Sequence, residues 1–490
     1  MRRYLSLLLV ALGAAGATVA SYALSAWWWC AAGPLLALTG LGCRDLVQRR
    51  DAVLRAHPLA GRLGGGRAVV RERAGDVDVY ADGHEFLVPS LRPVEPPEEP
   101  PVVRVGGPDC RQPYDMALLN VSAMSLGALS PRAVLALGRG ARLGRFAQDT
   151  GEGGLSEYHL RGGADLVWEI GTGYFGCRTD DGGFDAREFA DKAALPEVRC
   201  VSLKLSQGAA PGGGGELPGV KVSAAVARER GVPAGETVVS PPRHRVFSTP
   251  RELVLFLARM RELAGGKPVG FKLCVGSRRE FLALCRAMVA EGVTPDFVVV
   301  DGAEGGTGAA PAPSAGRLGV PLTEGLITVH NALVGAGLRE RIRIGASGRV
   351  ATGPDIVARL VQGADYTNAA RAMMLALGCV EARRCHTGTC PAGVTTQDPL
   401  RARALDVDDR SRRVHHYQRA TVRDAVRIMA AMGVPEPGGL TPAHLVRRTG
   451  PTTVRSYAEL YEWLEPGALL AGPPESWAAD WKAADPDGFS

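Results

Sequence analysis

Three cysteines fall within twelve residues in CVEARRCHTGTC, residues 379–390, with the spacing C-x5-C-x4-C. Thiolates are the usual ligands of iron–sulfur clusters, so Cys379, Cys385 and Cys390 form a candidate cluster set. Zinc is the alternative, with His386 as a fourth ligand, although His386 directly follows Cys385 and adjacent residues reach one ion awkwardly. A metal-free structural cluster is the third reading. Cys30 and Cys43 lie in the N-terminal apolar run, the other five show no pairing pattern, and most of these cysteines read as small buried hydrophobes.

Two lysines interrupt apolar, strand-like runs: Lys204 in VSLKLSQG and Lys272 in VGFKLCVG. A lysine in a buried strand is costly unless it is paired or faces an anion. Both therefore suggest an anionic ring or acidic substrate, with snorkelling at a barrel edge as the plain alternative. Gln207 follows the first of these runs. Three glycine-bearing turns also follow strand-like runs. They are DGAEGGTGAAP (301–311, with Gly305 and Gly306), IGASG (344–348, ending at Gly348) and GADYTNAARAMM (363–374). The last carries Asn368, Ala369, Ala370 and Arg371. Backbone N–H groups at such turns and helix starts suit a phosphate, so the three together suggest a phosphorylated cofactor. GTGYFG (171–176) matches G-x-G-x-x-G, but the CRTDDGGFD that follows is turn-like and opens no helix. The dinucleotide reading is therefore rejected.

These residues need a scaffold. MALLNVSAM, VRCVSLKLS, PVGFKLCVG, PDFVVVDG, IRIGASG and GADYTNA read as strands. SPRAVLALGRGARLG, RREFLALCRAMVAEG, LTEGLITVHNALVGAGL and GPDIVARLVQGA read as helices between them, and HHYQRATVRDAVRIMAAMG (415–433) as a further helix. Strand-then-helix alternation over this span predicts a (β/α)8 barrel with insertions, and a doubly wound open sheet is the competitor. The expected organisation is a hairpin over 1–45, a connector and small N-terminal region over 46–115, the barrel over 116–435, and an unassigned tail over 436–490. PVEPPEEPPVV (93–103) reads as an extended linker.

The hairpin comes from the charge pattern. No charged residue lies between Arg3 and Arg44, and the run breaks near Ser21–Ser25 into two apolar segments, with Trp27, Trp28 and Trp29 at the break. Arg2 and Arg3 precede it, and Arg44, Arg49 and Arg50 follow. The positive-inside rule puts both ends, and hence the body, on the cytoplasmic side of a membrane. A cleaved signal peptide or single anchor is the alternative. The net charge of +6 is modest, and no basic stripe is interleaved with aromatics, which sets nucleic acid aside as a partner.

Taken together, SAMSLGALS (122–130), DTGEGGLSEY (149–158), KLSQGAAPGGGGELPGVKV (204–222), DGAEGGTGAAP and CVEARRCHTGTCPAGVTTQ (379–397) resemble the FMN-binding synthase domain of glutamate synthase over about residues 116–435. More particularly, the chain resembles short members that carry this domain behind a membrane-spanning N-terminus. The resemblance implies an FMN-bearing barrel whose Cys379, Cys385 and Cys390 hold a [3Fe–4S] cluster. It implies reductive amination of 2-oxoglutarate, or a related oxo-acid, with ammonia. Ser122, Ala123, Met124 and Ser125 would line the flavin, and Lys272 would face its N1/O2 edge. Gly348 and Asn368–Arg371 would hold its phosphate. Glu152 would handle protons or ammonia, and Gln207 and Arg230 would meet the oxo-acid.

The family's AQGAKPGEGGQLPG reads SQGAAPGGGGELPG here, a departure at four positions. Ala210 replaces a substrate-side lysine and Glu216 a glutamine, so a less anionic substrate is expected. The chain starts Met1-Arg2 and leaves no room for a glutaminase domain, so ammonia is expected from solution or a partner. With no pyridine-nucleotide domain, the expected donor is a ferredoxin, a flavoprotein subunit or a membrane carrier. The alternatives are an electron-transfer or scaffold subunit of a membrane complex without its own substrate chemistry, and a zinc-stabilised barrel without flavin.

Overall fold

The structure, a computed structural model, describes residues 5–48, 54, 55, 58, 59, 78–208, 214–305 and 317–489. Gly306 and Ala210 lie outside the described residues.

Eight parallel strands close into a barrel in chain order. They are β1 (Leu119–Val121), β2 (Gln148–Asp149), β3 (Leu166–Ile170), β4 (Val198–Lys204), β5 (Val269–Leu273), β6 (Phe297–Asp301), β7 (Arg343–Ser347) and β8 (Tyr366–Ala369). β8 closes onto β1 with Asn368 opposite Asn120. The runs rich in Val, Ile, Leu and Phe became strands because both of their faces are covered. Two strands go beyond the sequence expectation. β2 has only two residues, too few to show a period, and β3 is the LVWEI run just before GTGYFG. The helix after that glycine run starts only at Ala186, as its turn-like character predicts.

The connector has a structural role at the barrel's base. Strands Val102–Val105 and Tyr114–Ala117 pair antiparallel. Val105 and Met116 pack under the barrel with Ala147, Val167, Cys200, Phe297, Val299 and Tyr366. The helix Val407–Ala431 packs on the first barrel helix, Pro131–Gly144, where a Cβ on Gly140 would meet Val414 at 2.7 Å. The 436–490 segment folds onto the body. Leu445–Arg448 pairs with Glu85–Leu87 and Val454–Ser456, and Arg278 binds Asp480 at 2.6 Å beneath a buried Trp477.

At the N-terminus, helix α1 (Leu5–Ala23) and helix α2 (Trp29–Val47) flank a short turn, Ala26–Trp28. Nineteen residues rise about 28 Å, close to a bilayer's hydrocarbon thickness. The apolar windows Ser6–Ala23 and Ala26–Val47 are each only 17% buried, so neither is a core helix of the body.

Candidate active site

The barrel interior changes character along its axis, and strand periodicity explains how. Side chains two residues apart share a face. Ala147, Val167, Val299 and Tyr366 lie in the apolar base. Two residues further along the same strands stand Asp149, Glu169, Asp301 and Asn368, all buried. On β4 the series runs Cys200, Ser202, Lys204, and β5 and β7 add Lys272 and Ser347. The C-terminal end of the barrel, where such barrels carry their sites, is thus floored by polar groups.

The two lysines are register partners on adjacent strands. Each takes a different carboxylate. Lys272 Nζ binds Glu169 Oε2 at 2.8 Å, with both side chains almost fully buried. Lys204 Nζ binds Glu152 Oε1 at 3.0 Å, nearer the opening. Burial alone would raise the Glu152 carboxyl, but Lys204 outweighs it and holds Glu152 below the usual range. Burial opposes the charge on Lys272, yet Glu169, Asp301 and Asp149 together raise its pKa above the ordinary lysine value. Asp149 goes the other way. Burial, then Glu169, push it up to about 8 against the pull of Lys272, while its Oδ1 accepts the Gly151 N–H at 2.9 Å.

A cavity of about 490 Å³ opens over this floor. Ala123, Met124 and Ser125 form one wall and Ala370, Arg371 and Met374 another. Glu152, Glu169, Lys204 and Gln207 line its base, and Cys379, Cys385 and His386 line its far side. The loop after β2 is drawn tightly against the loop after β1. Gly151 has φ +67°, and a Cβ there would lie 2.7 Å from the Ser125 backbone nitrogen.

Lys221 ties the cysteine segment to the β1 loop. It is buried and donates to the carbonyl oxygens of Ala128 and Cys385, both at 2.9 Å. Burial pushes its ammonium down to about 8. Burial raises the Cys379 thiol, and the backbone N–H of Glu381 offsets part of that before Cys390 and Cys385 raise it further. Among the described residues, no three His, Cys, Asp or Glu side chains converge as ligands of a single ion. A cluster with one thiolate per iron asks for a wider spread than a single zinc does.

Residues 109–435 match the family model for the conserved region in glutamate synthase. The chain belongs to the glutamate synthase family. The glutamate synthase large subunit-like protein YerD of Bacillus subtilis (strain 168) is 42% identical over 346 residues, covering 70% of this chain and 66% of YerD. The archaeal-type glutamate synthase (NADPH) of Thermotoga neapolitana is 32% identical over 315 residues, 64% of this chain and 59% of that protein. The chain thus spans about three fifths to two thirds of the length of these relatives. Mandelate oxidase in complex with (S)-4-hydroxymandelic acid aligns with a TM-score of 0.44 and 15% identity over 76% of this chain and 87% of that one, too distant to carry a further reading.

Within this glutamate synthase fold, the candidate residues are not all brought together. Ala123, Met124, Ser125, Glu152, Lys204, Gln207, Ala370, Arg371, Cys379 and Cys385 share the cavity wall, and Cys390 is buried behind it. Ser122 lies below, its hydroxyl 3.2 Å from that of Ser347. Gly348 follows Ser347, which pairs with Asn368, so the two expected phosphate turns are neighbours. The helix after Ala369 is short, Arg371–Ala376. Lys272 lies behind Glu169 and does not line the cavity. Arg230, expected at the substrate, is buried against the β1 loop, with Nη2 3.4 Å from Ser125 Oγ and its guanidinium 4.9 Å from the Phe175 ring centre. Gly305 follows β6 outside the cavity wall. Sequence reasoning missed Glu169, Asp149, Asp301 and Lys221. The signal for Glu169 was available: a charge inside the apolar run LVWEI, the same anomaly that marked Lys204.

Proposed function

We propose that this chain is a membrane-anchored, glutamate-synthase-like flavoprotein oxidoreductase that aminates an oxo-acid reductively, using FMN, a [3Fe–4S] cluster and ammonia from outside the chain. The observation that carries this reading is one cavity with an ionised carboxylate and lysine at its base and two cysteines on its wall. The residues fit both groups. The cavity runs between Ala123–Ser125 and Ala370–Arg371, where a flat ring system and a phosphate find backbone and cation together. The buried Thr395 hydroxyl on the same wall has no partner among the described residues. Three free thiols, with Lys221 donating to the carbonyl oxygen of Cys385, suit an anionic iron–sulfur cluster. When bound, FMN would supply the hydride and the cluster would relay electrons to it.

The chain's own residues would do the rest. Glu152, kept ionised by Lys204, would bind incoming ammonium at its Oε2 edge and would take up its proton once freed from that lysine. Gln207 would orient the oxo-acid by hydrogen bonding, and Glu169 would keep Lys272 charged beneath the ring. The body would sit on the cytoplasmic face, held by α1 and α2 and reduced by an external carrier such as a ferredoxin or flavoprotein subunit. Lys204 is already neutralised by Glu152, which supports an oxo-acid less anionic than 2-oxoglutarate.

The test is an absorbance spectrum with iron and flavin counts on anaerobically purified protein, followed by amino-acid formation across a panel of oxo-acids under reduction. About three irons per FMN and turnover with one oxo-acid are expected. A colourless protein would refute the cofactor pair. Cofactors without turnover on any oxo-acid would favour the electron-transfer reading, in which the closed Lys204–Glu152 pair takes no substrate.

A further inference from the structure

Helix Val407–Ala431 has an inner face made of Val414, Gln418, Val422 and Ala425. Its outer face carries a different pattern. Arg412, His416, Arg419, Arg423 and Arg427 follow one another at steps of three or four residues, which places them on a single stripe. All five are exposed, as is the adjoining Arg413. Among the described residues none of these arginines makes an ion pair with a carboxylate. A helix of 25 residues is about 37 Å long, so the charge forms an extended basic edge.

The second observation is where the helix begins; Asp408 and Asp409 occupy its first turn, and the basic stripe starts after them at Arg412. Arg55 lies 3.6 Å from Asp406, the N-cap residue of the helix. The same short segment returns to the apolar pair: the Pro58 carbonyl accepts from Ser6 Oγ at 3.1 Å, and the Leu59 N–H donates to Asp45 Oδ2 at 3.2 Å. Ser6 is in the first turn of α1 and Asp45 in the last turn of α2. The basic helix therefore starts where both apolar helices have their arginine-flanked ends. Clustered arginines next to a membrane span are attracted to anionic headgroups within a Debye length of the surface.

We propose that this stripe binds anionic phospholipid headgroups of the leaflet next to the hairpin, laying helix Val407–Ala431 along the membrane. The proposal rests on the reading of α1 and α2 as membrane-spanning. Because the helix flanks the barrel, the barrel lies on its side, and its mouth opens along the membrane plane to soluble substrate and carrier.

The experiment is amide hydrogen exchange on the full chain in nanodiscs of phosphatidylcholine alone or with phosphatidylglycerol. Exchange across 407–431 should slow by roughly tenfold only in the anionic discs, and about 1 M salt should erase the difference. The triple variant R412E/R419E/R423E, altered only at exposed positions, should show no such slowing. Equal exchange in both lipids, or slowing that survives in the triple variant, overturns the proposal. Fast exchange of the α1 and α2 amides in both discs would instead refute the membrane reading itself.

Discussion

Replacing Lys272 by Met tests whether the barrel floor is held by charge pairing. Lys272 and Glu169 are both nearly inaccessible and 2.8 Å apart. At an effective dielectric of 20, unit charges at that distance attract by about 6 kcal/mol, much of which offsets their desolvation. Lys272→Met removes the attraction and leaves Glu169 buried among other carboxylates, Asp149 and Asp301. Removing one partner of such a pair typically costs about 3–5 kcal/mol, here a fall in Tm of roughly 3–5 °C. The sign of the pH dependence follows. Burial and Glu169 already push Asp149 up to about 8, and losing the pull of Lys272 raises it further above its unfolded value near 3.9. The folded form then binds the extra proton, so stability is fullest at low pH and declines as pH climbs toward the raised pKa. Relative to the parent, the variant should lose more Tm at pH 8 than at pH 5. The double variant Lys272→Met/Glu169→Gln should recover most of the loss and flatten the difference. Thermal melting by circular dichroism of both variants at both pH values is the assay. Equal melting of single and double variants, or a deficit independent of pH, would refute the argument.

Four further outcomes are expected. Glu152→Gln should lower amino-acid formation by roughly 10²–10⁴-fold while leaving the flavin spectrum intact, which steady-state rates and absorbance separate. Gly151→Ala, with φ +67° and a Cβ 2.7 Å from Ser125 N, should shift the β1 loop and release flavin on gel filtration, with only a small change in Tm. Serine at Cys379, Cys385 or Cys390 should lower iron per chain without lowering flavin, read by metal analysis. Burial holds His159, His244 and His330 down to about 4, so the unfolded chain takes up protons first. Melting temperature should therefore fall as pH drops from about 6.5 to 4, and replacing His330 by Gln should lessen the fall.

The barrel was legible because its strands are apolar runs of ordinary length, and Lys204 and Lys272 stood out as charges inside such runs. Glu169 carries the same signature, but LVWEI was passed over beside the glycine-rich GTGYFG. β2 was invisible, since two residues have no period. What no local pattern encodes is partner choice. That Lys272 takes Glu169 and Lys204 takes Glu152 follows from barrel closure and strand register, which bring residues some 100 and 50 positions apart into contact. Arg230 depends on the same closure: a helix position does not reveal that its side chain meets Ser125 of the cavity wall. The cysteine spacing was readable, but its opening onto the barrel mouth depends on Lys221 bridging two loops.

The two ion pairs look alike and do different work. Lys204 and Lys272 occupy the same level on neighbouring strands, about 5 Å apart by strand spacing, where two free ammonium groups would repel. Two carboxylates relieve this, and their depths differ. The Lys272–Glu169 pair is almost fully buried, with Glu169 at the cavity base and Lys272 behind it, and forms a charged floor. The Lys204–Glu152 pair faces the cavity, and the Glu152 side chain keeps 17% of its surface exposed. An entering carboxylate meets Lys204 already satisfied and must displace Glu152 to reach it. Displacement frees Glu152 from the cation that holds its pKa down, so its affinity for a proton rises at the moment the site fills. In the proposed reaction, substrate entry and proton capture would therefore be coupled through one lysine, and a second substrate carboxylate would find no equivalent exchange at Lys272.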